Sequence, residues 1–400
     1  MHCECRDLAA SFTCATATYS ARVDSILASN RDEVLARPST KSAWHAFPTP
    51  REILSKLPPS PPAGSSSSSS LSLPYSLSSP APSRSHPVLS GIDAHPAGGG
   101  TWLGITAEGS FAVLTNFTET GPPPLPADSP VAEYRSRGGL PREWLKQEGA
   151  RVSDLPSNME EATQRVAAYL EDASKFRMEY PGFNLLIGTM AQSSAGDGQL
   201  EPIIGYLTNR GVADGNQQRL RPVLKAAGEG RILDLCPQGY IDGSTTSSNT
   251  CIACGLSNST FDDPWSKVLS GEQALSKLFE SETSEPPSEQ VIIDGLFKVL
   301  ATSPFPQLTS REDFKKSICI PPVQLPVKGS TDGQSLAWYA TRLSTVLLVP
   351  RRSDKGQTKW IERDIHTLEK VEDGQYEARR VPDGIAEKEQ RVHEWTISHL

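Results

Sequence analysis

The sequence contains no long hydrophobic run and no excess of positive charge. Hydrophobic side chains make up 37% of the 400 residues, and no apolar run reaches the roughly 18 residues that a membrane-spanning helix needs. The net charge of −8 argues against nucleic acid or an anionic membrane surface as a partner. The first residues also lack the basic start and apolar core of a secretory signal. We therefore expect an intracellular chain with no transmembrane segment and no nucleic-acid partner.

The seven cysteines are an odd and scattered set, which argues against a disulfide framework. Cys251 and Cys254 have the spacing of a redox or zinc pair. No second pair of ligands stands nearby at the spacing that zinc requires. Buried structural thiols are the favoured interpretation, and no metal site is expected.

Proline is abundant, with 33 residues, and a Pro/Ser tract covers residues 57–87. A tract of this composition cannot pack a hydrophobic core, so it predicts a disordered insert. Apart from this insert, residues 26–400 are expected to form a single domain. Residues 1–25 read as an atypical N-terminal segment.

Hydrophobic periodicity and turn residues predict an α+β fold with antiparallel strands. The predicted strands cover residues 101–106, 110–116, 182–188, 202–211 and 344–350, and the predicted helices cover residues 157–176, 264–280 and 289–300. The first two strands form a hairpin around Gly109, and the first helix opens with a capping box from Ser157 to Glu160. Because strands and helices occur in separate runs, the α+β class is favoured.

One stretch, Asn30-Arg31-Asp32-Glu33, places four polar side chains directly after the apolar run 26–28. Two interpretations follow from the residues alone. In the first, Asn30 caps a helix whose first turn carries Asp32 and Glu33. In the second, the charges form the junction after a core strand and line a functional site, since an interior position requires a partner for every charge.

Four further asparagines follow predicted strands or stand at their ends: Asn116, Asn184, Asn209 and Asn258. Turn chemistry explains any one of them, because Asn tolerates the left-handed backbone conformation. Strands that share a sheet would instead bring these amides to one rim and present them to a ligand. Asn209 is followed by Arg210, which repeats the Asn-Arg pair of residues 30–31.

These motifs form an ordered series along the chain. The series is Asn30-Arg31-Asp32-Glu33, Gly100-Thr101-Trp102-Leu103-Gly104, Leu114-Thr115-Asn116, Ser136-Arg137-Gly138, Gly182-Phe183-Asn184-Leu185, Asn209-Arg210-Gly211 and Leu256-Ser257-Asn258 with Trp265. In order and rough separation, from about residue 26 to residue 349, it resembles the NRDE family, of the Transport and Golgi organisation type. Each motif alone is a weak signal, whereas seven in the family's order are specific.

The resemblance implies a four-layer αββα sandwich similar to the N-terminal-nucleophile hydrolases. It implies a role in Golgi organisation and protein secretion, and in the handling of haem, lipid or acyl-coenzyme A. The implied pocket is rimmed by Asn30, Arg31, Asp32, Glu33, Trp102, Asn116, Asn184, Asn209, Arg210 and Asn258. No cofactor is required, and haem enters as a transported ligand. The expected partners are that small molecule or proteins of the secretory pathway.

An N-terminal-nucleophile amidohydrolase or thioesterase is the alternative that the resemblance raises. In such enzymes the first residue attacks, and its own α-amino group acts as the base. The NRDE family has a cysteine directly after the initiator Met, but this sequence begins Met1-His2-Cys3. His2 should block removal of Met1, so Cys3, the candidate nucleophile, would lack a free amine. Residues 1–25 also lack the apolar first strand of the family.

In the hydrolase interpretation, Arg31 and Asp32 would hold the nucleophile and the substrate. Asn116 and Asn184 would donate to a developing oxyanion. A third alternative is a trafficking adaptor that uses the acidic stretch 277–290 or the Pro/Ser tract as its partner surface. Whether the chain is an enzyme stays open at this point.

The expected location is cytoplasmic, and association with the Golgi or with mitochondria is left open. Ser398-His399-Leu400 resembles the Ser-Lys-Leu peroxisomal address, which makes peroxisomal import a minority alternative. For haem, an axial His, Cys or Met would be needed. Only His45 and His95 lie beside family motifs, and solvated loop histidines are the favoured interpretation of both.

Overall fold

The computed structural model describes sixteen stretches of the chain. They are residues 12–16, 25–47, 87–95, 98–119, 124–125, 129–151, 156–193, 199–210, 223–227, 230–234, 252–279, 287–326, 336–350, 352, 356–372 and 374–397. The predicted disordered insert 57–87 lies outside these residues except for Pro87, and so does the C-terminal tripeptide 398–400.

Strands dominate the described residues. They are β1 (Phe12–Thr16), β2 (Ser25–Val34), β3 (Ala43–His45), β4 (Val88–Ser90), β5 (Leu103–Thr106), β6 (Phe111–Asn116), β7 (Phe183–Gln192), β8 (Leu200–Thr208), β9 (Val223–Ala227), β10 (Gly230–Asp234), β11 (Ile252–Leu256), β12 (Val323–Pro326), β13 (Leu336–Val349), β14 (Thr358–Asp364), β15 (His366–Lys370), β16 (Tyr376–Arg380) and β17 (Arg391–Trp395). The helices are α1 (Gly139–Gly149), α2 (Met159–Lys175), α3 (Ser266–Phe279), α4 (Glu289–Leu300), α5 (Arg311–Phe314) and α6 (Asp383–Lys388), and Arg177–Glu179 form a 3₁₀ turn.

The strands form two large antiparallel sheets and one small one. The eight-stranded sheet has the order β3-β4-β5-β6-β7-β8-β10-β9. The seven-stranded sheet has the order β11-β1-β2-β13-β14-β17, and β12 also pairs with β13. A separate pair, β15-β16, completes the set. A mixed α and β fold with antiparallel sheets is therefore confirmed.

Three hydrophobic clusters show how the layers meet. One cluster joins the two large sheets and includes Leu27 and Leu347 from one sheet and Ile105 and Leu186 from the other. A second joins the eight-stranded sheet to α1 and α2, and a third joins the seven-stranded sheet to α3 and α4. Helices thus cover the outer faces of two sheets that pack against each other. Likeness to N-terminal-nucleophile hydrolases in particular stays a prediction.

The polar stretch Asn30-Arg31-Asp32-Glu33 lies inside a strand. β2 runs through it, and β13 pairs with it along its length, with Asn30 opposite Ser344. The register shifts at an irregularity between Thr341 and Leu343. Both sequence interpretations of its backbone, a helix cap and a junction after the strand, are therefore wrong. The partner strand β13 supplies hydrogen bonds past the point where the apolar run ends.

A first strand precedes β2, contrary to the expectation for residues 1–25. β1 lies between β11 and β2, and Phe12 stands opposite both Leu256 and Ser29. The segment is short, but neighbours on both sides supply its backbone hydrogen bonds. Backbone pairing with β11 and β2 therefore accounts for this strand, whereas the composition of the segment does not predict it.

The predicted hairpin and helices are present, with one cap displaced. Gly109 adopts a positive φ of 90° in the turn between β5 and β6, a conformation that favours glycine. At the start of α2, the cap is Asn158, whose Oδ1 accepts from the backbone N–H of Glu161 at 2.9 Å. The capping box predicted from Ser157 to Glu160 is thus wrong by one residue. The Asn side chain satisfies the helix N–H groups in its place.

Candidate functional site

β2 turns its side chains alternately to the two sides of the seven-stranded sheet. Leu27 belongs to the core between the sheets, whereas Ile26 and Ala28 belong to the core beneath α3 and α4. With a period of two, Asn30 and Asp32 therefore face the helices, and Arg31 and Glu33 face the other sheet. The motif is divided between two faces, so Arg31 and Asp32 do not line the same face of the sheet.

Asn30 is fully buried, and its amide is used within the protein. Its Nδ2 donates to Leu300 O at 2.8 Å and to Ile318 O at 3.0 Å. Its Oδ1 accepts from Ser344 Oγ at 2.6 Å. These bonds connect β2 to the end of α4 and to the segment before β12. The side chain holds three chain segments together and has no amide hydrogen left for a ligand.

Asp32 faces a group of buried polar and ionisable side chains. Its Oδ1 accepts a hydrogen bond from Thr341 Oγ1 on β13. Burial, and then the charge of Asp32, raises the pKa of the Cys319 thiol to about 11. Burial lowers the pKa of Lys267 to about 8, and Asp32 opposes that shift. Asp32 is therefore the acidic member of a cluster that also contains a buried lysine.

Arg31 is 4% exposed and stacks on Trp102, with its Cζ atom 3.3 Å from the ring centroid. Its Nη1 donates to Ser39 Oγ at 2.7 Å, and Nη2 lies 4.0 Å from Glu33 Oε2. A guanidinium carries five N–H donors, so this arrangement leaves donors available. Burial and then Arg342 lower the pKa of Arg31 to about 9, although Glu33 and Asp93 oppose the shift. The buried cation is only partly compensated by its neighbours.

Two more arginines and two acids surround this face. Arg37 forms a two-pronged ion pair with Asp93, at 2.6 and 3.1 Å, and lies 3.5 Å from Glu33. Arg342 donates to Arg37 O at 2.6 Å, and burial lowers its pKa. The charges of Glu33, Asp364 and Glu362 oppose this shift of Arg342. Within the described residues, the ion pair of Arg31 is the long one to Glu33 at 4.0 Å, so an anion could bind at its guanidinium.

A close backbone approach positions Trp102. A Cβ atom on Gly100 would lie 2.2 Å from Gly138 O, so only glycine fits there. Next to it, Thr101 N donates to Gly138 O at 3.1 Å. The motifs around Gly100 and Gly138, far apart in sequence, therefore form one contact that places the indole over Arg31.

Asn184 is the second residue of β7, not the last residue of a strand as the sequence analysis expected. Its amide is also engaged within the protein. Its Nδ2 has three acceptors within hydrogen-bond distance, which are Thr115 Oγ1 at 3.1 Å, Ser257 O at 3.2 Å and Ser259 O at 2.9 Å. Its Oδ1 accepts from Tyr206 OH at 2.7 Å. Asn184 thus fixes the segment after β11 against the eight-stranded sheet.

Asn209 and Arg210 close the loop before β7. Asn209 Nδ2 donates to carbonyls of that loop, including Tyr180 O at 2.8 Å, and its Oδ1 accepts from Phe183 N at 3.0 Å. Arg210 pairs with Glu119 at 2.7 Å. Both side chains therefore stabilise the rim formed where β6 and β8 end and β7 begins. We call this the amide rim, with Asn116, Asn184 and Asn209 as its members.

Asn258 reaches the same region from the other sheet. Its carbonyl accepts from Thr118 N at 2.8 Å, two residues beyond Asn116. The structure therefore brings four of the five predicted asparagines, Asn116, Asn184, Asn209 and Asn258, near one end of the sandwich. Cys3 lies outside the described residues, so its role stays a prediction. The roles assigned to the other residues stay predictions as well.

Three ionisable residues of this region were missed by the sequence analysis: Arg37, Arg342 and Lys267. Lys267 follows Pro264 and Trp265, which the sequence analysis used as a helix start and, for Trp265, as part of the last motif of the series. Nothing in its sequence context indicates burial, because the packing of α3 decides it. Arg342 reaches Arg37 from the irregular part of β13, which local sequence does not predict.

A small cavity lies between the sheets at the opposite end of β2. Its volume is about 30 Å³, and it is lined by Ser25, Ile26, Leu27, Ile105, Gly109, Phe111, Met190, Pro202, Ile204, Leu347 and Val349. None of the predicted site residues lines it. This space holds about one water molecule and is too small for haem or an acyl chain.

Two further observations concern the described part of the chain only. There, no group of His, Cys, Asp and Glu side chains is arranged to hold a metal ion. Within the same residues, no helix is long and apolar enough to cross a membrane.

Comparison with known proteins identifies the family. The family model for Transport and Golgi organisation 2 matches residues 77–367, which is well over half of the chain. The chain therefore belongs to this family, which is the NRDE family expected from the motifs. The matched residues begin after Asn30-Arg31-Asp32-Glu33, so the match does not depend on that stretch.

Individual relatives carry the corresponding name. The Transport and Golgi organization 2 homolog of Mus musculus is 26% identical over 268 residues, which cover 66% of this chain and 72% of the mouse protein. The Bos taurus protein is 27% identical over the same shares. The Homo sapiens protein is 28% identical over 214 residues, 53% of this chain and 55% of its own length.

Proposed function

We propose that this protein of the Transport and Golgi organisation type binds a small anionic ligand on the Arg31 face of β2. The candidate ligands are haem, a lipid or an acyl-coenzyme A. Through this binding the protein would act in Golgi organisation and secretion. Haem propionates, fatty-acid carboxylates and the phosphates of coenzyme A all present oxygen anions. These groups match the fork of an arginine.

One observation carries the proposal. Arg31 is buried and stacked on Trp102, yet among the described residues it has one hydrogen bond, to Ser39, and a distant acid, Glu33. A buried cation normally has its donors paired. Unused donors beside a half-buried indole and the partly exposed Arg37 therefore favour a ligand whose anionic group approaches this face.

The test is a titration of the full chain with haemin and, separately, with a long-chain acyl-coenzyme A, followed by tryptophan fluorescence. Arg31→Lys keeps the charge but removes the planar fork, so we expect about 10- to 100-fold weaker binding. Arg379→Ala is the matched control, because Arg379 is half-exposed on β16 and pairs only with surface acids. Unchanged affinity of the Arg31→Lys variant would contradict the proposal.

A thiol-dependent amidohydrolase or thioesterase is the second candidate. β1 pairs with β2 and Phe12 stands opposite Ser29, so the first strand that the family shows before Asn30 has a counterpart here. Two facing sheets between helical layers also support it. Alkylation of the cysteines should then abolish thioester hydrolysis. If neither hydrolysis nor ligand binding is detected, the adaptor interpretation is the one that remains.

A further inference from the structure

Lys267 is a buried lysine on the helix side of the seven-stranded sheet. It lies in the first turn of α3 and is 4% exposed. Its backbone N–H donates to Lys315 O at 2.9 Å. The next residue, Val268, fills the space over Gly255 of β11, where a Cβ would lie 2.7 Å from its Cγ1 atom. Packing therefore fixes the start of α3 on the sheet, and the side chain of Lys267 is buried there.

The ammonium group has little to compensate its charge. In the part of the chain that the structure describes, Lys267 Nζ makes no hydrogen bond and no ion pair within 4.0 Å. Asp32 is the one charge that supports its protonated form, and Asp32 already accepts from Thr341. The Trp265 ring centroid is 5.4 Å away, a weak contact. Buried lysines are almost always paired, so this one is an exception.

The position in the helix adds to the imbalance. The first turn of an α-helix carries partial positive charge and N–H groups without intrahelical partners. A lysine there meets like charge, which costs stability unless an anion is bound. A second group nearby in sequence is also unsatisfied, since Ser257 Oγ, 1% exposed just after β11, has no hydrogen-bond partner.

We propose that Lys267 and the first turn of α3 form a subsite for an anionic oxygen group, a carboxylate or a phosphate. The subsite lies on the side of β2 opposite to Arg31, so it does not depend on the function proposed for that face. An anion here would pair the buried ammonium and would lie in the positive field of the helix N-terminus. The charge of Asp32 favours the protonated form of the lysine.

The first experiment is competitive trace acylation of the full chain with acetic anhydride across a pH series, with mass spectrometry of each lysine. Series in chloride, acetate and inorganic phosphate are compared at equal ionic strength. In chloride we expect a labelling midpoint for Lys267 near its lowered pKa of about 8. Either anion that binds should raise the midpoint by one pH unit or more. Exposed Lys298 on α4 is the internal control and should not respond.

A second measurement decides the matter if Lys267 proves too protected to label. The melting temperature of the wild type should rise in acetate or in phosphate relative to chloride, and the responding anion identifies the ligand class. In the Arg31→Lys background, which weakens the anion site proposed for the other face of β2, Lys267→Met should abolish the rise that remains, while Lys298→Met keeps it. A full rise in Lys267→Met, or no rise in the wild type with either anion, overturns the proposal. The part of the rise that persists in Arg31→Lys and is lost when Lys267→Met is added belongs to the Lys267 subsite and not to the Arg31 site.

Discussion

The amide rim and strand β2 were expected to line one pocket, yet their polar side chains do different things. In the amide rim, Asn184 and Asn209 use their amides to bind backbone carbonyls of other segments. On and beside β2, the cations Arg31 and Lys267 are buried with few partners. The rim is therefore built for stability. The cations sit where a ligand would improve the balance of charge.

The largest expected effect concerns the amide rim. Asn184→Leu removes the bonds to Ser257 O and Ser259 O and leaves buried carbonyls unsatisfied, so we expect a loss of about 3–5 kcal/mol in the free energy of unfolding. Urea denaturation measures it. Asn158→Ala, which removes an exposed helix cap, is the matched control and should cost about 1 kcal/mol. An equal loss in both variants would remove the distinction between rim and surface amides.

The next effect concerns the pH dependence of stability. The pKa of Lys267 is about 8 in the folded protein and 10.5 for an unperturbed lysine, so between these pH values the unfolded chain binds the extra proton. Lys267 should therefore contribute a rise of about 3 kcal/mol in the free energy of unfolding across this window. Cys319 acts in the opposite direction above about pH 9, because burial raises its pKa from 9.0 to about 11 and the thiol of the unfolded chain loses its proton first. The difference between the wild type and Lys267→Met isolates the contribution of Lys267.

Lys267→Met removes this dependence. We expect the variant to be more stable than the wild type below pH 8 without added anion, and the difference to vanish towards pH 10.5. Denaturation curves for both proteins at several pH values measure the gap. A variant less stable than the wild type at neutral pH would show that Lys267 is a structural ion-pair partner of Asp32.

The smallest effect sharpens the interpretation of Arg31. Ser39→Ala removes the hydrogen bond from the guanidinium to Ser39 Oγ, and we expect a loss of about 1 kcal/mol or less, because the stacking on Trp102 remains. Thermal denaturation measures the loss. A loss as large as that of Asn184→Leu would mean that Arg31 holds the fold together as the amides do.

Local signals in the sequence predicted the hairpin at Gly109 and the helices α2 and α4, because turn and capping residues act over a few positions. They did not predict that β2 continues through Asn30 and Asp32. Its partner β13 begins about 300 residues later, and pairing at that distance is invisible to periodicity.

The candidate site could likewise be predicted only in part, because the local sequence does not show which distant strands pair. The motif residues were recognised, and the structure gathers four of the five asparagines at one end of the sheets. Alternation along β2, which separates Arg31 from Asp32, could be deduced only once the stretch was known to be a strand. The burial of Lys267 depends on the packing of α3 over Gly255, which no local pattern records.

The order of strands in the two sheets has a consequence for synthesis. The eight-stranded sheet uses residues 43–234, and each of its strands pairs with near neighbours in the chain, so it can form as the chain emerges. β2 pairs early with β1, but its other edge waits for β13. At roughly 5–20 residues per second, that wait lasts roughly 15–60 s. The charged residues Arg31, Asp32 and Glu33 discourage an open strand edge from joining a neighbouring chain. The charges of this motif therefore oppose aggregation of the nascent chain, before β13 is available to pair with β2.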